Sequence, residues 1–169
     1  MKIKLFSRIL LIMVLGMGLL GTEQAMGFSN YKNMFFQAKA YLASGETEKA
    51  LNIYRELYAL DTNNTNICYL MGVCYTEARE TTPESLRLLE KAAAHVSSDY
   101  NAADHEETNS SIFVFYYLAI AHSQNNNCSG AIESVMQFRK YYGAHKNDYF
   151  TRDALNWANK CMEENEQEE

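Results

Sequence analysis

A pattern of two amphipathic helices around a short turn occurs near residue 38 and recurs near residues 72 and 119. The first copy runs from Ala38 to Asn64, AKAYLASGETEKALNIYRELYALDTNN. It places small residues where two helix backbones must come close, with Gly45 in the turn between them. One such unit cannot bury its apolar face alone. Copies therefore stack, share a continuous core and leave an extended concave surface. The expected fold is an all-α solenoid that presents a binding face rather than an enclosed reaction centre.

These residues resemble the tetratricopeptide repeat, a helix–turn–helix unit of 34 residues. With Tyr31 at the first position, Ala38 and Ala50 stand at small positions 8 and 20. Tyr41 and Tyr54 stand at aromatic positions 11 and 24, and Gly45 at turn position 15. Leu57 departs from the small residue at 27, and Thr62 replaces a proline. The second copy, from Thr65, aligns Gly72, Tyr75, Ser85, Leu89 and Ala92, with one extra residue around Thr82-Pro83. The third, from Ile112, aligns Phe115, Leu118, Ala119 and Ala131, with His122 and the large Phe138 as departures.

The resemblance covers about residues 31 to 164. It implies a domain over 28–164 with repeats at 31–64, 65–99 and 112–145, a capping helix over 148–164 and an acidic tail over 165–169. Phe150, Ala154 and Trp157 match positions 4, 8 and 11 of a further first helix, so the last helix is expected to cover the open end of the stack. The helices read as 31–44 with 46–60, 66–79 with 83–97, and 112–125 with 128–142. Pro83 suits a first helical turn, where a missing N–H costs nothing. About twelve surplus residues, 100–111, are polar and acidic. They extend the preceding helix, form a surface loop or fold into the groove.

In this family the first helix of each repeat lines the concave face. The resemblance thus assigns Lys32, Phe35 and Lys39, then Tyr69, Val73 and Thr76, then Phe113, Tyr116 and Ile120 to a peptide-binding groove. Leu42, Ala43, Asn66, Glu77, Ser123 and Gln124 share that side. Phe35, Tyr69 and Tyr116 form an aromatic row that offers contact area at low entropic cost. Lys32 and Lys39 place positive charge at one end, suited to an acidic or carboxylate group. A protein or peptide is the implied partner. A second copy of the chain is another candidate occupant. The basic clamp that grips a C-terminal carboxylate in some family members has no counterpart, because Phe35, Tyr69 and Tyr116 stand in its place.

The first 27 residues read as a secretory signal: Lys2, Lys4 and Arg8, an apolar run from Ile9 to Leu20, then Ala25-Met26-Gly27 before a cut at Phe28. The alternative is an uncleaved N-terminal anchor holding a structural subunit on an envelope assembly. The whole chain carries 15 Lys+Arg and 21 Asp+Glu, and three of those bases and one acid lie within 1–27. The remainder has 12 and 20, a net charge of −8. That balance argues against nucleic acid and against docking on anionic lipid. LRLLEKAAA at 86–94 and FYYLAIAH at 115–122 are also similar to repeat modules that precede peptidoglycan-binding, outer-membrane-protein-A-like domains in Bacteroidota envelope proteins. This similarity implies scaffolding in the periplasm or cell envelope. No counterpart of the wall-binding domain is legible, so wall anchoring does not carry over.

Of the four cysteines, Cys68 and Cys74 are six apart on one helix, point to different faces and cannot bridge each other. Cys128 begins a helix and Cys161 ends the antiparallel last one. The two either form a disulfide or remain free thiols. No metal-ligand spacing, phosphate-cradling loop or nucleophile motif is present, so neither a metal, a cofactor nor catalysis is expected. His122 reads as a core histidine. His105, among Asp104, Glu106 and Glu107, reads as part of a solvated loop.

Overall fold

The computed structural model describes residues 30–143 and 148–166. Among them seven helices follow one another. These are α1 over residues 30–43, then α2 (Thr47–Leu60), α3 (Thr65–Glu77), α4 (Pro83–Ala93), α5 (Val114–Gln124), α6 (Cys128–Tyr142) and α7 (Tyr149–Glu166). The signal-peptide and anchor readings of residues 1–27 lie outside the described residues, as does the end of the acidic tail, 167–169. The expected envelope location with an N-terminal membrane anchor is corrected: among the described residues no helix is long and apolar enough to cross a membrane. Even α7, 18 residues long, carries Arg152, Asp153, Lys160, Glu163 and Glu164.

The fold is all-α, with helices paired and stacked. One turn geometry closes all three pairs. After α1, Gly45 N–H donates to Leu42 O (3.1 Å) and Glu46 N–H to Tyr41 O (2.8 Å). After α3 the same two bonds run from Arg79 to Thr76 (3.1 Å) and from Glu80 to Tyr75 (3.0 Å). After α5 they run from Asn126 to Ser123 (3.1 Å) and from Asn127 to His122 (2.9 Å). This double bond pairs the last helical carbonyls, and it needs a left-handed residue just past the helix. Gly45 (φ 79°), Arg79 (φ 57°) and Asn126 (φ 56°) supply it. The first two lie 34 positions apart and the next two 47 apart. The excess is the segment between α4 and α5.

Local chemistry sets where the next helices begin. Asn64 caps α3 by accepting from Ile67 N–H (3.0 Å), and Asn127 caps α6 by accepting from Gly130 N–H (3.1 Å). Thr82 and Ser85 exchange hydrogen bonds in a capping box at α4, with Pro83 in the first turn. Small residues then let the backbones approach: Ala38, Ala50, Ala119, Ala131 and Ala154 are fully buried.

α3, α5 and α7 lie side by side, α4 bridges α3 with α5, and α6 bridges α5 with α7. One core gathers Phe35, Tyr54, Leu57, Ile67, Leu89 and Val114. A second gathers Tyr116, Ala119, Val135, Phe138, Ala154 and Ala158. α3 is central, with every residue from Thr65 to Thr76 buried. α4 ends four residues before the expected 97 because other partners take over its end. Ser110 Oγ donates to Ala92 O (2.7 Å), and Val96 forms a single parallel bridge with Ser110.

Candidate functional site

The nine groove positions do not line an open channel. Phe35, Tyr69, Val73, Thr76, Tyr116 and Ile120 are all buried, Phe113 and Lys39 are half-buried, and Lys32 is exposed. The expectation of a free aromatic row is thereby corrected, and two pieces of the same chain pack on this side.

The first is α7, which lies against the inner side of α5. Tyr116 OH donates to Asp153 Oδ2 (2.7 Å) and Ser123 Oγ donates to Trp157 O (2.7 Å). Burial, then that carboxylate, raises the Tyr116 phenol well above its ordinary pKa. Phe113 packs among Phe150 (ring centroids 5.0 Å), Tyr142 (5.3 Å) and Phe138 (5.5 Å), a cluster in which Phe138 is buried and Phe150 stays partly exposed. A Cys128–Cys161 disulfide with Cα atoms 5.4 Å apart ties α7 to α6. Cys68 and Cys74 remain buried thiols. Burial raises both pKa values, that of Cys74 to about 12, so neither is a nucleophile near neutral pH.

The second is the 100–111 segment. It crosses α1 and the start of α3 as a strap, the third of the paths open to it from sequence. Thr108 O accepts from Thr65 N–H (3.0 Å), Asn66 N–H (3.2 Å) and Thr65 Oγ1 (2.6 Å). Glu107 O accepts from Asn64 Nδ2 (3.4 Å), and Ala102 O accepts from Lys39 Nζ. Partial burial holds the Lys39 ammonium below the ordinary lysine value. Its charge is thus used on a carbonyl of the same chain, in place of the foreign carboxylate expected there. Tyr100 OH donates to Asn66 Oδ1 (3.0 Å), and its ring meets Tyr69 edge-on at 6.2 Å. Burial, then Glu107, pushes the Tyr100 phenol up to about 12.

Glu107 knots the strap. Its carboxylate accepts from Asn101 N–H (3.1 Å), Asn109 N–H (2.8 Å) and Asn109 Nδ2 (3.3 Å). Burial pushes its pKa up, but these bonds and one from the Thr108 backbone together outweigh it, and the carboxyl titrates below its ordinary value. A depressed carboxylate stabilises the folded strap above the unfolded pKa, and that stabilisation is lost as pH falls through the folded value. In an NMR titration the Asn101 and Asn109 amide protons are expected to move together, with a midpoint below 4.5. A midpoint at or above 4.5 would show that the knot does not form.

Beside the strap lies a cleft of about 470 Å³ lined by Tyr31, Leu60, Asp61, Asn64, His105, Glu106 and Thr108. Its wall is mainly apolar, and Leu60 is 69% exposed. Among the described residues no group of three or more His, Cys, Asp or Glu side chains is placed to hold a metal ion. His122 is half-buried beside Asn127 (Nδ1 to Nδ2 3.1 Å), and burial lowers its pKa. His105 packs near Phe36, with ring centroids 6.1 Å apart.

Sequence reasoning missed Asn64, Thr65 and Tyr100 as parts of this face and gave Asn66 no bonding role. The signal for the first two was the Asn-Asn-Thr-Asn run of a helix start, whose unpaired N–H groups need acceptors. For Tyr100 it was a large aromatic at the head of a polar stretch. Comparison of the chain with protein-family models, curated proteins and solved structures gives no match.

Proposed function

We propose that this chain is a non-catalytic protein-interaction module, an array of three tetratricopeptide-like helix pairs with α7 as its cap. It takes an extended peptide segment across the inner face of α1 and α3. The observation that carries the reading is the strap itself. This face already holds a turn-rich stretch of backbone through donors that select carbonyl oxygens and no particular side chain. The triple recurrence of one turn geometry, 34 positions apart in the first two pairs, supports the repeat assignment. The net charge of −6 disfavours nucleic acid and anionic lipid as partners.

A peptide-display selection on the full chain tests this. In a background whose residues 101–109 are a Gly–Ser linker, enriched peptides are expected to lose about thirtyfold in affinity on adding Lys39→Ala/Thr65→Val, the effect of removing two hydrogen bonds near 1 kcal/mol each. No enrichment, or peptides indifferent to both changes, would sink the reading.

A further inference from the structure

We infer that residues 100–109 are an intramolecular occupant of this face, which an extended peptide from another chain displaces by setting its carbonyls on the Thr65 and Asn66 donors and an apolar side chain in the cleft beside Tyr31 and Leu60. This rests on the peptide-binding reading above and adds its regulation. Three observations lead to it.

The strap fits the face incompletely. Asn66 is fully buried, yet its Nδ2 has no hydrogen-bond partner. Its Oδ1 is taken by Tyr100 of the strap, so the bond to the occupant uses one end of the amide and leaves the other without a partner. Buried amides without a partner are uncommon and carry a free-energy cost. A backbone amide laid across Asn66 would use both ends of the side chain. The neighbouring cleft is also left unfilled, although strap residues His105, Glu106 and Thr108 form part of its wall.

Between its ends the strap is held by hydrogen bonds with little apolar burial, while the ends themselves are anchored. Residues 101–103, 106, 108 and 109 are exposed. Between Tyr100 and Ser110 no residue belongs to either hydrophobic core. At its exit Ser110 is fixed by Ala92 O and by His95 O, to which its N–H donates (2.9 Å). At its entry Ser97 N–H donates to Ser110 O (3.1 Å). A segment with few buried apolar contacts opens more cheaply than the helices beneath it, and tethered ends let it reclose.

The contacts from the strap are also transferable. On α1 and α3 the main-chain oxygens of Ala102, Glu107 and Thr108 receive nearly all the hydrogen bonds. Any extended chain carries such oxygens. A competitor therefore meets the same donors, at an apparent affinity lowered by the fraction of time the strap is open.

Two measurements on the full chain test this. In native-state hydrogen exchange, the amides of Thr65, Asn66 and Asn109 are expected to exchange about a hundredfold faster than those of Leu70 to Cys74 in α3. Exchange of both sets through one common opening would overturn the inference. In the second, a blocked synthetic peptide of residues 99–111 is titrated into the wild-type chain and into a variant whose residues 101–109 are a Gly–Ser linker of equal length. At least tenfold tighter binding to the linker variant, lost on adding Thr65→Val, is the expected result. Equal binding to both proteins would overturn displacement while leaving peptide recognition standing. No binding to a linker variant that keeps its helical circular dichroism would overturn both. If that variant does not fold, the exchange result decides.

Discussion

Gly72→Ala is expected to lower the unfolding free energy by about 3 kcal/mol, the upper end of the cost of forcing one extra carbon into a packed core. A Cβ at Gly72 would stand 2.3 Å from Leu89 Cδ2 and 2.4 Å from Leu89 Cγ. The Cγ atom is the branch point one bond beyond Cβ and moves less freely than a terminal methyl, and Leu89 is fully buried. The collision lies where α3 and α4 meet, so relief requires the pair to separate. Gly45→Ala is the control. Its Cβ would meet nothing within 4 Å, and its cost, about 1 kcal/mol, comes from the positive φ alone. Urea unfolding of both variants checks the contrast. Gly72→Ala combined with Leu89→Ala should be less destabilised than the sum of the single changes. Additive behaviour would mean that the two residues are not in contact.

Loss of the Cys128–Cys161 link is expected to cost about 3–4 kcal/mol, from the chain entropy regained when a closure spanning 33 positions is opened. The effect should concentrate on α7. Thr151, Ala154, Ala158 and Cys161 form its buried side, and Asp153 and Trp157 reach α5 through two hydrogen bonds. A Cys128→Ser/Cys161→Ser variant, unfolded in urea beside the wild type, gives the magnitude. The α7 amides should show the largest gain in hydrogen exchange. Thiol titration of the unfolded, non-reduced chain should count two thiols, Cys68 and Cys74. A count of four would contradict the link.

Several helices were legible because they carry their own punctuation. Asn64, Thr82-Pro83 and Asn127 mark starts, Gly45 marks an end, and the observed ranges fall within a few residues of those read from the pattern. Which surface stays open was not legible. Helical spacing puts Phe35, Tyr69 and Tyr116 on one side of their helices, but that side is buried by elements distant in sequence. The hydrogen bond from Tyr116 to Asp153 spans 37 positions, and that from Lys39 to Ala102 spans 63. The strap was hardest to read. Its polar composition looks solvated because most of its side chains are. What binds it to the face is main-chain oxygen, which every residue carries and no composition reveals. Arg79 shows a smaller blind spot. It occupies the same left-handed position as Gly45, yet Arg is a residue type that gives no turn signal.

Peptide recognition on the inner face is tested most directly by the footprint of a display-selected peptide on the isotope-labelled full chain, followed by amide chemical shifts. The predicted footprint is confined to Tyr31, Lys39, Leu60, Thr65, Asn66, Tyr69 and the strap residues 100–109, whose signals move as they leave the face. A footprint on α4, on α6 or on α2 away from Leu60, with the strap signals unmoved, would contradict it.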